Sequence, residues 1–109
     1  MAQIFKALSE ETRLRILSLL LDGELCVCDI EASLRLTQSN TSRHLNILKK
    51  NGILISYKQA QWTYYRFDEK FKEDHRDLWL YLEERLKGLA TFKADRDALY
   101  HCKKENKNC

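Results

Sequence analysis

Apolar and polar positions between Thr37 and Gly52 alternate with the period of an α-helix. Thr41, Leu45 and Leu48 follow one another at spacings of four and three, which places them on one side of a helix. Thr37 is a favourable N-cap, and Gly52 stands where a left-handed residue commonly ends a helix. The opposite side carries small or long polar groups that can donate to base edges and phosphates, namely Ser39, Arg43, Asn46 and Lys50. The pattern therefore predicts a helix with one buried face and one face suited to DNA.

The segments on either side of this helix complete a known DNA-binding arrangement. Ile30 and Leu34 lie one turn apart on a shorter helix, and the turn 35–37 connects that helix to the next. Downstream, 53–58 and 62–67 read as two strands joined by a turn at Gln59-Ala60-Gln61. We therefore predict a mainly α fold with a small β-hairpin, a winged helix-turn-helix in which the helix from Thr37 is the recognition helix.

Apolar helices at both ends of the chain suggest a dimer. Near the start, the pattern predicts a short helix over residues 4–8. Ser9, which precedes two acidic residues, is the predicted N-cap of a second helix, and Asp22-Gly23 is the predicted end of that helix. Near the other end, leucines recur at spacings of four, four and three on a helix with more apolar surface than a small domain covers. Pairing with a second copy would bury it, and folding back on its own core is the alternative. The predicted dimerisation residues are Ile4, Phe5, Leu78, Leu82, Leu86 and Leu89.

Length and composition narrow the class of protein. A length of 109 residues favours one domain. We predict a DNA-binding and dimerisation domain over residues 1–90 and a helical or flexible tail with cysteines over residues 91–109. The net charge of +3 permits DNA binding without arguing for it. The sequence has no stretch of roughly 20 apolar residues and no signal-peptide layout, so we expect a cytoplasmic protein. In that compartment its four cysteines favour metal or redox chemistry over structural disulfides.

The pair Cys26 and Cys28 is the main candidate for chemistry. Residues two apart on a regular helix point about 200° from each other, so two such thiols cannot face one ion. At the start of a helix the first residue is still extended, and the two sulfur atoms can converge. The positive end of the helix dipole also lowers the pKa of a thiol there. Two such thiolates suit soft, thiophilic ions, although two buried structural cysteines are an equal alternative.

Three segments of the chain resemble the ArsR-type family of metal- and metalloid-responsive repressors. Gly23–Ile30 looks like that family's E-L-C-V-C-D signature. Thr37–Leu45 is similar to its S-Q-S-x-x-S-R-H-L recognition helix, and Phe5–Leu17 to its F-K-A-L-x-x-x-T-R-L-x-I-L opening. The resemblance covers roughly residues 4–67. It implies a homodimeric winged-helix repressor, not an enzyme, that binds operator DNA and leaves it when an inducing ion binds the cysteines.

The resemblance implies an arsenic-sensing repressor whose ligand set departs from the family's usual one. Arsenic sensors often carry a third cysteine shortly after the pair, where this chain has Glu31, Ala32 and Ser33. The carboxylate and histidine pattern of zinc sensors is not reproduced by Asp74-His75 and His101. We therefore expect trivalent arsenic or antimony on Cys26, Cys28 and Cys102, with Cys109 as the less favoured third ligand. Alternatives are a sensor of cadmium, lead or zinc, one selective for methylarsenite, and a thiol redox sensor.

The predicted DNA contacts lie on the recognition helix and on the hairpin. Arg43 stands at the centre of the polar face, and Lys58 is expected to reach the flanking backbone or minor groove. His44 is expected at the DNA side or packed against a neighbour. The full predicted set is Gln38, Ser39, Asn40, Ser42, Arg43, His44, Asn46, Lys50, Lys58, Gln59 and Gln61.

Overall fold

The computed structural model describes residues 1–105 of the chain. Its helices are α1 (Ala2–Leu8), α2 (Glu11–Leu19), α3 (Val27–Leu34), α4 (Gln38–Lys50), α5 (Glu69–Asp74), α6 (Arg76–Lys87) and α7 (Phe92–Glu105). A 3-10 turn (Leu20–Asp22) follows α2, and the strands are β1 (Leu25–Cys26), β2 (Leu54–Gln59) and β3 (Trp62–Phe67). The predicted fold class is confirmed, because α3, the turn after it, α4 and the β2–β3 hairpin form a winged helix-turn-helix.

The recognition helix α4 begins and ends at the predicted caps. The Thr37 hydroxyl accepts a hydrogen bond from the backbone N–H of Asn40 at 3.1 Å. At the other end Gly52 has a φ of 78°, and the N–H of Ile53 donates to the carbonyl of Leu48 at 3.0 Å. Thr41, Leu45 and Leu48 are fully buried, which confirms the predicted core face of α4.

Within residues 1–105 the sheet has three strands in the order β1-β3-β2, one more than the sequence predicted. The hairpin pairs Leu54 with Phe67 and Gln59 with Trp62, and its turn places Ala60 at a φ of 58°. The additional strand pairs Leu25 with Tyr65 and Cys26 with Tyr64. A two-residue strand has too little alternation to be recognised in sequence. Its consequence is that the wing and the first cysteine of the pair belong to one sheet.

Helix α2 starts one residue later than predicted. Ser9 ends α1, where its hydroxyl donates to the carbonyl of Lys6 at 2.7 Å. Glu10 is the N-cap of α2, and its carboxylate accepts from the backbone N–H of Thr12. The prediction of Ser9 as this cap was therefore wrong, because the serine hydroxyl is already engaged by the preceding helix.

Helix α6 covers its own core with two of the leucines that were predicted to face a partner. Leu82 is 7% exposed and Leu86 is 1% exposed, so both pack in the core of the single chain, while both also line the apolar groove described next and their part in a dimer stays a prediction. Phe5 and Tyr81 are instead 53% and 65% exposed. They line an apolar groove of about 260 Å³ between α1 and α6 whose walls include Leu78 and Leu89.

Helix α7, which contains the helical part of the predicted tail, packs against α2 and α3. The guanidinium of Arg15 on α2 donates two hydrogen bonds to the carboxylate of Asp95, at 2.8 and 3.0 Å. Asp95 is 4% exposed, and Arg96 forms a second ion pair with Asp22. Among the helices of residues 1–105, none combines the length and apolar character that crossing a membrane requires.

Candidate DNA interface and thiol site

The polar face of α4 and the tip of the hairpin are open to solvent. Arg43 is exposed on this face, and Lys58 is exposed on β2. The structure leaves ten of the eleven predicted DNA contacts exposed, namely Gln38, Ser39, Asn40, Ser42, Arg43, Asn46, Lys50, Lys58, Gln59 and Gln61. Long basic and amide side chains at these positions can donate to phosphates and base edges.

The exception is His44, which is 3% exposed. Arg13 Nη1 lies 3.2 Å from His44 Nδ1, and Glu10 Oε2 lies 3.3 Å from Nε2. Arg43 Nη2 also lies 3.4 Å from Nε2, so a guanidinium approaches each ring nitrogen and the Glu10 carboxylate approaches Nε2 as well. His44 is thus removed from the set of direct DNA contacts. Its imidazole ties the recognition helix to α2 instead.

The surroundings of His44 keep its imidazole neutral. Burial lowers its pKa, and the nearby charges of Arg43 and Arg13 lower it further, whereas Glu10 opposes them. Arg13 extends the network to α1, since its Nε donates to the carbonyl of Ala7 at 2.7 Å. The recognition helix is therefore braced through two side chains against the helix that carries the exposed Phe5.

The two cysteines of the pair converge, as the sequence predicted. Cys26 is the N-cap residue of α3, with an extended backbone at φ −70° and ψ 144°. Its Sγ atom lies 2.9 Å from that of Cys28. Two thiolates on one tetrahedral ion with metal–sulfur bonds of about 2.3 Å are about 3.8 Å apart. Binding an ion between them thus requires the two sulfur atoms to separate by roughly 0.9 Å.

A cavity of about 310 Å³ opens beside the pair. Glu31, one turn further along α3, contributes its side chain to the wall, and Trp62 of the wing faces it. The wall consists of Cys26, Val27, Cys28, Glu31, Gln38, Ser42, Gln61, Trp62, Thr63 and Tyr65. The cavity therefore joins the thiols to the first turn of the recognition helix and to the wing, the two elements that carry the predicted DNA contacts.

The third predicted ligand comes from α7. Cys102 is half-buried on this helix, which packs against α3. Burial raises the pKa of Asp29, the residue after Cys28, while the charge of Lys103, the residue after Cys102, lowers it. This charge interaction agrees with the packing of α7 against α3. Cys109 lies outside the described residues.

Within residues 1–105 the structure assembles no ready-made group of three His, Cys, Asp or Glu side chains around one point. His101 is exposed and its ring lies against Tyr100, which fits a surface residue.

Sequence reasoning missed two parts of this site. In the sequence, Glu31 stood out only because it occupies a place where arsenic sensors often have a third cysteine. In the structure, Glu31 lines the cavity. Trp62, Thr63 and Tyr65 line the cavity because β1 pairs with β3. No local sequence pattern predicted that pairing. A charged residue one helical turn after Cys28 was the only signal available in the sequence.

Comparisons with known proteins agree with this geometry. The model of the family described as "Bacterial regulatory protein, arsR family" matches residues 10–56. An HTH-type transcriptional regulator of Methanocaldococcus jannaschii, MJ1325, is 49% identical over 74 residues, which cover 66% of this chain and 83% of that protein. The chain belongs to the arsR family. Its sequence-based assignment to this family is thereby confirmed.

Two further proteins, one a sequence relative and one a solved structure, are also similar to this arsR-family chain. The arsenical resistance operon repressor of Escherichia coli K12 is 49% identical over 65 residues, 59% of this chain and 56% of that protein. The chain thus spans little more than half the length of this curated relative. The homodimeric winged helix-turn-helix DNA-binding domain of Mb0332 from Mycobacterium bovis is 28% identical with a TM-score of 0.64, over 82% of this chain and 83% of that one.

Proposed function

We propose that this arsR-family protein is a homodimeric repressor that binds operator DNA and is released by trivalent arsenic or antimony. The observation that carries the proposal is the cavity shared by the thiol pair, the first turn of α4 and the wing. A ligand that enters at Cys26 and Cys28 touches the same cavity wall as Gln38, Ser42 and Gln61. Inducer and operator are thereby coupled through directly adjoining elements, in the cytoplasm where the DNA is.

On the DNA side, α4 would enter the major groove while the hairpin reaches the flanking backbone or minor groove. Arg43 and Lys50 provide positive charge on the exposed face of α4, and Lys58 provides it on the wing. Two copies related by a twofold axis would present two such helices to a pseudo-palindromic operator. The apolar groove formed by Phe5, Leu78, Tyr81 and Leu89 is the surface that a second copy would cover.

On the inducer side, arsenous acid would condense with thiols. Each As–OH group exchanges for an As–S bond and releases one water, so three thiols convert As(OH)3 into As(SR)3 and three waters. Cys26 and Cys28 supply the first two sulfur atoms, and we propose Cys102 as the third because α7 packs against α3. A monomethylated arsenical has only two exchangeable positions and would need the pair alone.

Release requires that the inducer bind the DNA-free conformation more tightly than the DNA-bound one. Cys26 is the N-cap residue of α3, Cys28 lies in its first turn, and α3 packs on the recognition helix, so an ion held by the pair would act on the element that supports α4. A hundredfold preference for the DNA-free state corresponds to about 2.7 kcal/mol. This is comparable with a few lost phosphate or base contacts on one half-site.

Titration of a fluorescently labelled operator complex with arsenite tests the proposal. Cys26→Ser and Cys28→Ser should keep their operator affinity and stay bound at arsenite concentrations that release the parent protein. Cys102→Ser should weaken the response to arsenite much more than the response to methylarsenite, and Cys109→Ser should be close to silent.

Three outcomes would contradict the assignment. Release of Cys28→Ser at the parental arsenite concentration would remove the pair from the inducer site. Release by cadmium, lead or zinc but not by arsenite would point to a divalent-ion sensor. Release by a thiol oxidant alone would point to a redox sensor.

A further inference from the structure

Glu31 has an unusual environment for a glutamate. Its side chain lines the same cavity as Cys26 and Cys28, and its Oε1 atom is buried. Within residues 1–105 this oxygen accepts no hydrogen bond. A buried acceptor left without a donor costs free energy, and the cost is greater for a charged group. Because Glu31 lines the cavity beside the thiol pair, its carboxylate can serve as acceptor for a hydroxyl donor bound there.

Arsenite bound by only two thiols carries such a donor. Condensation of As(OH)3 with Cys26 and Cys28 forms two As–S bonds, releases two waters and leaves one As–OH group. The hydroxyl can donate one hydrogen bond. Glu31 stands one helical turn beyond Cys28, where this chain has a carboxylate in place of a further thiol.

We infer that Glu31 accepts a hydrogen bond from the hydroxyl of arsenite held by Cys26 and Cys28, and so determines how well the pair binds inorganic arsenic without a third thiol. The inference rests on the proposed function, because it assumes that the pair is the inducer site. A third thiol would displace the hydroxyl as water. The contribution of Glu31 is therefore largest when neither cysteine of the C-terminal segment can take part.

Phenylarsine oxide separates this role from general packing. Its arsenic carries a phenyl group and two exchangeable oxygens, so condensation with the pair leaves no hydroxyl for Glu31. Removal of the carboxylate should weaken arsenite binding while phenylarsine oxide binding stays the same. A purely structural role of Glu31 would weaken the binding of both compounds.

The test uses the full chain with Cys102→Ser and Cys109→Ser as the background. Dissociation constants for arsenite and phenylarsine oxide are measured through the fluorescence of Trp62, which lines the cavity, with operator release as a second readout. Glu31→Met, which keeps the length of the side chain but has no oxygen acceptor, should raise the dissociation constant for arsenite by about 10- to 100-fold. Glu31→Gln, whose neutral amide oxygen still accepts, should raise it by about 3- to 10-fold. The exposed Glu84→Gln is the matched control and should leave it unchanged.

Each outcome decides between the two proposals. Equal arsenite affinity in the Glu31 parent and in Glu31→Met would overturn the inference, as would a parallel loss of phenylarsine oxide binding. A background protein that binds phenylarsine oxide but not arsenite would overturn it too, while leaving the thiol pair as the inducer site. Failure of the background protein to bind either compound would count against the proposed function itself.

Discussion

The ion pair between Arg15 and Asp95 should be the main polar interaction that holds α7 on the body of the protein. Its two hydrogen bonds measure 2.8 and 3.0 Å, and the side chains are 27% and 5% exposed. The carboxylate is thus the more deeply buried partner. The hydrogen bonds to Asp95, and then its charge, raise the pKa of the Arg15 guanidinium, although burial of Arg15 opposes them.

Removing Arg15 should lower the free energy of unfolding more than removing the charge of Asp95, because the Asp95 side chain is the more deeply buried of the two. Arg15→Met keeps the aliphatic stem but leaves the carboxylate of Asp95 buried without its cation, and breaking a buried pair in this way costs about 3–5 kcal/mol. The partial exposure of Arg15 places the expected loss at the lower end, about 3 kcal/mol. Asp95→Asn leaves a guanidinium that water reaches, so we expect about 1.5–2 kcal/mol. A loss of about 3 kcal/mol corresponds to a fall in the melting temperature of about 12–24 °C for a domain of this size.

Urea unfolding at a fixed protein concentration measures these losses, because dimerisation would otherwise shift the midpoint. The double variant should show a coupling free energy of about 1.5–3 kcal/mol. Asp97→Asn is the control on the same helix, since its ion pair with Lys93 is largely exposed and should be worth less than about 0.5 kcal/mol. Losses below about 1 kcal/mol for Arg15→Met, or a loss no larger than that of Asp97→Asn, would refute the reasoning.

Two further predictions concern the proposed interfaces. Arg43→Ala should weaken operator binding by about 1–3 kcal/mol in fluorescence anisotropy while the exposed control Arg76→Ala changes little, and equal affinities would remove Arg43 from the DNA contacts. The double variant Phe5→Glu and Tyr81→Glu places two charges in the apolar groove, so sedimentation should show a folded monomer. The control Leu80→Glu, which lies on α6 like Tyr81, should leave the dimer intact.

The predicted dimer helix shows where periodicity alone misleads. The leucine spacing along α6 correctly predicted a helix with an apolar stripe. It could not tell whether Leu82 and Leu86 meet a second copy or the chain's own core. In the structure both are buried within the chain, and the exposed apolar surface belongs to residues beside the stripe, such as Tyr81. The direction of the stripe depends on how α6 is docked, which local sequence does not encode.

His44 is a polar residue whose surroundings local sequence likewise could not predict. Its position on the recognition helix suggested contact with DNA, yet the approach of Arg13 and Glu10 from α2 buries it. The sequence did determine the features that depend on near neighbours. These include the caps of α4, the hairpin, the start of α3 at Cys26 and the convergence of the Cys26 and Cys28 sulfur atoms, since each follows from backbone geometry within a few residues.

Tertiary structure alone decided what surrounds the pair. The strand β1 joins Cys26 to the wing, α7, which carries Cys102, packs against α3, and Glu31, whose Oε1 atom is buried, lines the shared cavity. These relations connect residues that lie tens of positions apart in the chain. They arise because burying the apolar faces of separate elements in one core fixes the elements' relative positions, and that constraint has no signature in any short stretch of sequence.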